Sequence, residues 1–110
     1  DPIIGPIYFH LFADIYDYSE EELKKYYTHL ILFGSVAKGE DTENSDIDFV
    51  GIGKSKKPDL HKFEKKLKKE INLQSFKYHE WKKTKEKNKA FYQDVISSGI
   101  NLIGEMPLVD

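Results

Sequence analysis

The stretch 32–50, LFGSVAKGEDTENSDIDFV, constrains the fold more than any other part of the chain. It joins two apolar runs, 28–33 and 46–52, and each run ends at a glycine, as buried strands commonly do. Side chains alternate between the two sides of a strand, so Asp46 and Asp48 should share one side. The isoleucine and phenylalanine beside them then point to the opposite side. The pattern therefore predicts two core strands with a pair of carboxylates on one of them.

These residue types suit the binding of a metal ion and a phosphate. Two neighbouring carboxylates repel each other, and a hard divalent cation such as Mg²⁺ relieves that repulsion through oxygen ligands. Such a cation keeps positions open for substrate phosphates. Gly34 and Ser35 end the neighbouring strand, where a glycine allows close approach and a following helical turn directs free N–H groups at phosphate oxygens. We therefore expect these residues to bind one triphosphate together, its phosphates through Gly34 and Ser35 and its metal ion through Asp46 and Asp48.

The rest of the chain predicts helices packed on a small sheet. Helices are expected over 20–27, 60–71 and 80–98, the last with a break near Asn88, and strands over 71–77 and 100–103. The expected class is α+β, a mixed sheet flanked by helices, in one domain spanning residues 1–110. Residues 1–18 are rich in aromatic side chains and have no clear period, so strand and buried helix both stay open there.

Charge and composition narrow the classes of function. The chain has no cysteine, which excludes disulfides and a thiol nucleophile, and no apolar run approaches the roughly 20 residues of a membrane span. Residues 1–53 hold 3 Lys against 11 Asp and Glu, whereas residues 54–89 hold 14 Lys against 5. All 17 basic residues are Lys, and no aromatic residue is interleaved in the clusters 65–69 and 82–89. These Lys clusters are therefore expected to form a solvated helix surface and not a nucleic-acid-binding site. The expected location of the protein is the cytoplasm.

The pattern GS-x10-DxD resembles that of the DNA polymerase β nucleotidyltransferase superfamily, and specifically its minimal nucleotidyltransferase members. The AKG that follows the GS is similar to a sub-pattern of these proteins, and HEW and ISSGINLIG resemble their usual tail. The resemblance implies a polymerase β-like fold and transfer of a nucleoside monophosphate, in particular AMP from ATP with Mg²⁺ or Mn²⁺, to a protein or small acceptor. It also implies a HEPN-type partner, with this chain as the antitoxin of a toxin–antitoxin pair.

The resemblance assigns a role to five residues. Asp46 and Asp48 are the expected catalytic residues and metal ligands. Gly34 and Ser35 are expected to hold the β- and γ-phosphates, and Lys38 is expected to contact the triphosphate.

The third strand departs from the pattern of active relatives. They carry a third carboxylate there, whereas this strand reads INLQSF and offers Asn72 and Gln74 on its polar side. An amide oxygen can ligate a metal but carries no charge and cannot act as a general base. Glu70 is close in sequence, but it is expected to lie on a helix end or on the wrong side of the strand. Two functions therefore stay open: a transferase, or a weak or inactive subunit that acts by contacting its partner.

Overall fold

A computed structural model of the chain describes residues 25–39, 46–53, 64–65, 68 and 70–110. Within these residues the elements with described bounds are, in order, β1 (Tyr27–Phe33), α1 (Gly34–Lys38), β2 (Ile47–Gly53), β3 (Ile71–Phe76), α2 (Tyr78–Lys87), α3 (Lys89–Ser98) and β4 (Ile100–Ile103). The strands form one mixed sheet in the order β3-β2-β1-β4, with β2 and β3 parallel and the other pairs antiparallel. The predicted α+β class is confirmed. Residues 1–18 and most of the predicted helices 20–27 and 60–71 lie outside the described residues.

Each side of the sheet carries its own core, as the alternation in β2 predicts. One core contains ten buried residues: Tyr27, Leu30, Leu32, Val36, Ala37, Ile47, Phe49, Ile71, Leu73 and Ile103. The other core lies under α2 and α3 and contains eight: Ile31, Phe33, Val50, Ile52, Trp81, Tyr92, Val95 and Val109. Asp48 shares its side of β2 with Val50 and Ile52, so its carboxylate projects on the side that α2 and α3 cover.

The predicted break near Asn88 is confirmed, because α2 ends at Lys87 and α3 begins at Lys89. The Asn88 side-chain oxygen accepts a hydrogen bond from the backbone N–H of Phe91 at 3.2 Å, as an N-cap residue does. At the start of α2, the Glu80 carboxylate accepts one from the Lys77 N–H at 2.8 Å. These two local hydrogen bonds give the two helices separate starting points.

Gly99 follows α3, which ends at Ser98 where the predicted helix 80–98 ends, but it does not have the left-handed backbone that usually favours glycine there. Its φ is −70°, and its N–H donates to the Val95 carbonyl at 2.9 Å. A β-carbon on Gly99 would lie 2.6 Å from a methyl carbon of Ile31 and 2.4 Å from the Val95 oxygen. The glycine is therefore required because α3 and β1 approach each other closely. None of the helices in the described part of the chain is long and apolar enough to span a membrane.

Candidate active site

Gly34, Asp48 and Asn72 lie in a row across one edge of the sheet. Gly34 directly follows β1, whose last residue, Phe33, is the register partner of Asp48 on β2. Asp48 is in turn the register partner of Asn72 on β3. Neighbouring strands lie about 4.8 Å apart, so side chains from three successive strands meet at this edge.

The two aspartates share one amide. The Asn72 Nδ2 donates a hydrogen bond to Asp48 Oδ1 at 3.0 Å and approaches Asp46 Oδ2 at 3.4 Å. Asp46 stands just before β2, and the hydrogen bond from the Ile47 N–H to the Glu70 carbonyl, 2.9 Å, continues the parallel pairing to this point. A single donor from the third strand, the Asn72 amide, thus reaches both carboxylates.

Because Gly34 has no side chain, the Asp48 carboxylate can lie directly against its backbone. Its φ is +79°, and a β-carbon there would lie 2.5 Å from Asp48 Oδ2. Only a glycine combines this left-handed backbone with such a close approach. Ser35, the next residue, is half-buried in α1, whose Val36 and Ala37 anchor the turn in the core.

Lys38 ends α1 and forms an ion pair with Asp94 of α3, with its Nζ 2.9 Å from Asp94 Oδ1. Sequence reasoning did not identify Asp94, because it lies on a helix that the folded chain brings back from far along the sequence, and no spacing links it to the motif. The ion pair ties α1 to α3 beside the carboxylates.

The surroundings of Asp48 disfavour its ionised form. Burial raises the pKa of the Asp48 carboxyl, the hydrogen bond from Asn72 lowers it, and the negative charges of Asp46 and Asp94 raise it further, with the net shift upward. A cation placed between Asp46 and Asp48 would compensate this accumulated negative charge. The pair supplies carboxylate oxygens, the donors that Mg²⁺ and Mn²⁺ prefer, so the residues fit such an ion.

Asn72 occupies the third-strand position where active relatives of the motif are expected to carry a carboxylate. Glu70, the nearest acidic residue in sequence, is exposed just before β3, and its carbonyl accepts a hydrogen bond from the Ile47 N–H. It stands two residues before Asn72, so the alternation puts it on the same side as Asn72, and the expectation of the opposite side is wrong. Among the described residues, no group of three or more His, Cys, Asp or Glu side chains is arranged to hold a metal ion. The described part of the site therefore contains two carboxylates bridged by an amide.

The motif predicts binding of Mg²⁺–ATP, and replacing Gly34 with Ala is expected to weaken that binding about tenfold or more, because the new methyl group displaces the Asp48 carboxylate. Gly39→Ala is the matched control: its φ is +72°, but nothing lies within 4 Å of a β-carbon there. Both variants should lose about 1–2 kcal/mol of unfolding free energy from the left-handed backbone. Calorimetry should show the loss of Mg²⁺–ATP affinity in Gly34→Ala alone. An equal loss of affinity in both variants would contradict the role of the close approach between Gly34 and Asp48.

Comparison with known proteins identifies the fold and the family. Two crystal structures, each 18% identical in sequence, have a similar fold. One is of a toxin–antitoxin with AMP-PNP; its TM-score is 0.58, and the match covers 88% of this chain and 73% of that chain. The other is of a mutant of the toxin–antitoxin MntA-HpeT; its TM-score is 0.57, and the match covers 92% of this chain and 73% of that chain. No curated protein sequence matches significantly. Residues 17–100 match the family described as nucleotidyltransferase domain, which covers most of the chain and includes the whole GS-x10-DxD motif. The resemblance to nucleotidyltransferases is thereby confirmed, and the chain belongs to the nucleotidyltransferase domain family.

Proposed function

We propose that this chain binds a nucleoside triphosphate with a divalent cation and transfers the nucleoside monophosphate, AMP from ATP, to a partner protein. The observation that carries the proposal is the row of Gly34, Asp48 and Asn72, with Asp46 joined to it through the Asn72 amide. Family membership supports the reaction class, and the similarity in fold to a toxin–antitoxin with AMP-PNP supports an adenine nucleotide.

In this proposal each residue of the motif has one task. Asp46 and Asp48 hold Mg²⁺ or Mn²⁺, which neutralises phosphate charge when it is bound. Gly34 lets the backbone approach the phosphates, and the Ser35 hydroxyl donates to the β- and γ-phosphates. Lys38 stands one helical turn further on, and its ion pair with Asp94 directs the ammonium group to this end of the sheet.

The proposed partner is a HEPN-type protein, with this chain as the antitoxin that modifies it. Both structural relatives described above are toxin–antitoxin proteins, which supports a partner chain as the acceptor. The alternative function is a subunit that binds the partner without turnover. Asn72 favours that alternative, because an amide cannot take the proton of an attacking hydroxyl.

One experiment separates the two functions. The protein is incubated with ATP labelled at the α-phosphate, Mg²⁺ or Mn²⁺, and the product of the neighbouring gene. We expect the label to become covalently attached to the partner and to survive denaturing electrophoresis. If the partner co-purifies with this chain but stays unlabelled with both metals, the transferase function is wrong and the binding function stands.

A further inference from the structure

A groove of about 450 Å³ begins next to the candidate active site on the same side of the sheet. Gln74 and Phe76 of β3 form one wall, following Asn72 at intervals of two residues, and one side of α2 with Phe91 of α3 forms the other. Residues two apart on a strand are separated by about 6.6 Å, so the groove starts that far from Asn72. Its volume lies in the range of ligand-binding sites.

The direction of nucleotidyl transfer places the acceptor on the β3 side. In an in-line displacement, the attacking oxygen and the leaving group lie on opposite sides of the phosphorus. In the proposed function the β- and γ-phosphates lie at Gly34 and Ser35 after β1, and Asp48 of β2 stands between that position and β3, so the attack would come from the side of β3. The groove is lined by residues of that same strand, Gln74 and Phe76.

The charge of the groove selects an anionic occupant. Lys83 and Lys87, one turn apart on α2, are exposed and line it. In the part of the chain that the structure describes, neither ammonium group has an ion pair or a hydrogen bond. The groove also contains the Glu80 carboxylate, but this group already accepts a hydrogen bond from the Lys77 N–H. The two lysines therefore remain available to carboxylates of a ligand.

The aromatic residues favour a peptide over single-stranded nucleic acid. Phe76 packs against Trp81 and Phe91 with ring centroids 5.5 and 6.3 Å away, and Phe91 also contacts Phe33 at 5.5 Å. Rings that are held by other rings form an apolar floor, whereas base stacking needs open faces. A floor of this kind suits apolar or aromatic side chains placed between acidic residues.

We propose that this groove binds an acidic, hydroxyl-bearing segment of the acceptor protein, through Lys83 and Lys87. This inference rests on the proposed transferase function and adds to it the chemistry of the acceptor. The hydroxyl oxygen forms a bond to the α-phosphorus, and the bond from that phosphorus to the bridging oxygen breaks. Pyrophosphate leaves with the electron pair, and the hydroxyl proton passes to water. The acidic residues beside the hydroxyl stay bound to the two lysines.

The test is peptide binding by anisotropy, with a fluorescein-labelled octapeptide of alternating Glu and Tyr as the probe. The double variant Lys83→Glu with Lys87→Glu should weaken binding about tenfold or more. The matched control, Lys82→Glu with Lys89→Glu, makes the same change in charge on exposed lysines outside the groove and should change affinity about twofold or less. Measurement at 0.15 M salt, where the Debye length is about 8 Å, restricts the effect to local charges.

Three results would overturn the proposal: equal weakening by both double variants, no binding of the peptide by the wild type, or tighter binding of an octamer of uridylate. An equal loss of Mg²⁺–ATP affinity in the groove variant would also overturn it, because the groove would then belong to the nucleotide. Failure of the transferase function has a different signature, in which the peptide binds as expected but receives no label from ATP. If the wild type labels the peptide, the double variant Lys83→Glu with Lys87→Glu should have a higher KM for the peptide and nearly the same kcat.

Discussion

Changing Asp48 to Asn should lower the rate of Mg²⁺-dependent transfer roughly a thousandfold, while the fold is retained. The variant removes one of the two charges proposed to hold the cation. A bound cation contributes several kcal/mol to stabilising the transferred phosphoryl group, and each ~1.4 kcal/mol is a factor of ten in rate. The new amide oxygen still accepts the hydrogen bond from Asn72. Calorimetry should show that Mg²⁺ increases the affinity of the wild type for ATP, but not that of the variant.

The same substitution should raise the free energy of unfolding measured in EDTA at pH 7. Burial, followed by the charges of Asp46 and Asp94, raises the pKa of Asp48 despite the opposing hydrogen bond from Asn72. The ionised carboxylate is therefore less favourable in the folded chain than in the unfolded chain, and a neutral amide removes this penalty. Glu86→Gln on the exposed surface of α2 is the control and should change neither transfer nor stability. A loss of transfer accompanied by unfolding would contradict the assignment of Asp48.

Changing Trp81 to Ala should destabilise the protein by about 3–5 kcal/mol, a large part of the 5–15 kcal/mol typical of a small domain. Trp81 is fully buried, and its ring contacts those of Phe76, Phe91 and Tyr92 at centroid distances of 5.5–6.3 Å. Its Nε1 donates a buried hydrogen bond to the Pro107 carbonyl at 2.8 Å. The variant thus removes the centre of the core under α2 and α3, together with one of the hydrogen bonds that hold the C-terminal segment.

Urea unfolding followed by circular dichroism measures this effect, because Trp81 is the single tryptophan and its fluorescence disappears with it. Trp81→Phe keeps most of the ring but leaves the Pro107 carbonyl without its donor, and should lose about 1–3 kcal/mol. That variant remains informative if the alanine variant does not fold. Lys82→Ala, the exposed neighbour, should stay within about 0.5 kcal/mol of the wild type. If Trp81→Phe is as stable as the wild type, the hydrogen bond to Pro107 contributes nothing.

Much of the sheet could be predicted because its strands follow a period of two. The alternation in residues 46–52 placed Ile47 and Phe49 in one core and the carboxylates on the other side, and INLQSF placed Asn72 opposite Ile71 in the same way. The helix break at Asn88 was visible because its cap is a local interaction. These features depend on residues close together in sequence, so local chemistry is sufficient to predict them.

The character of the Lys-rich helix depended on packing and could not be predicted. No aromatic residue interrupts the lysines of 82–89, which indicated a plain solvated surface. In the structure, Phe76 of β3 and Phe91 of α3 pack beside this helix and turn one side of it into a groove. A reading along one helix cannot show side chains that arrive from neighbouring elements.

The sequence by itself determined the strand–turn–strand motif, the shared side of Asp46 and Asp48, and, through this motif, membership of the nucleotidyltransferase domain family. Only the tertiary structure decided what surrounds the pair: the Asn72 amide between the carboxylates, the Asp94 partner of Lys38, and the close approach of the Asp48 carboxylate to Gly34. The physical reason is that alternation and turns arise between near neighbours, whereas the electrostatics of a site arise from whichever distant strands and helices pack around it.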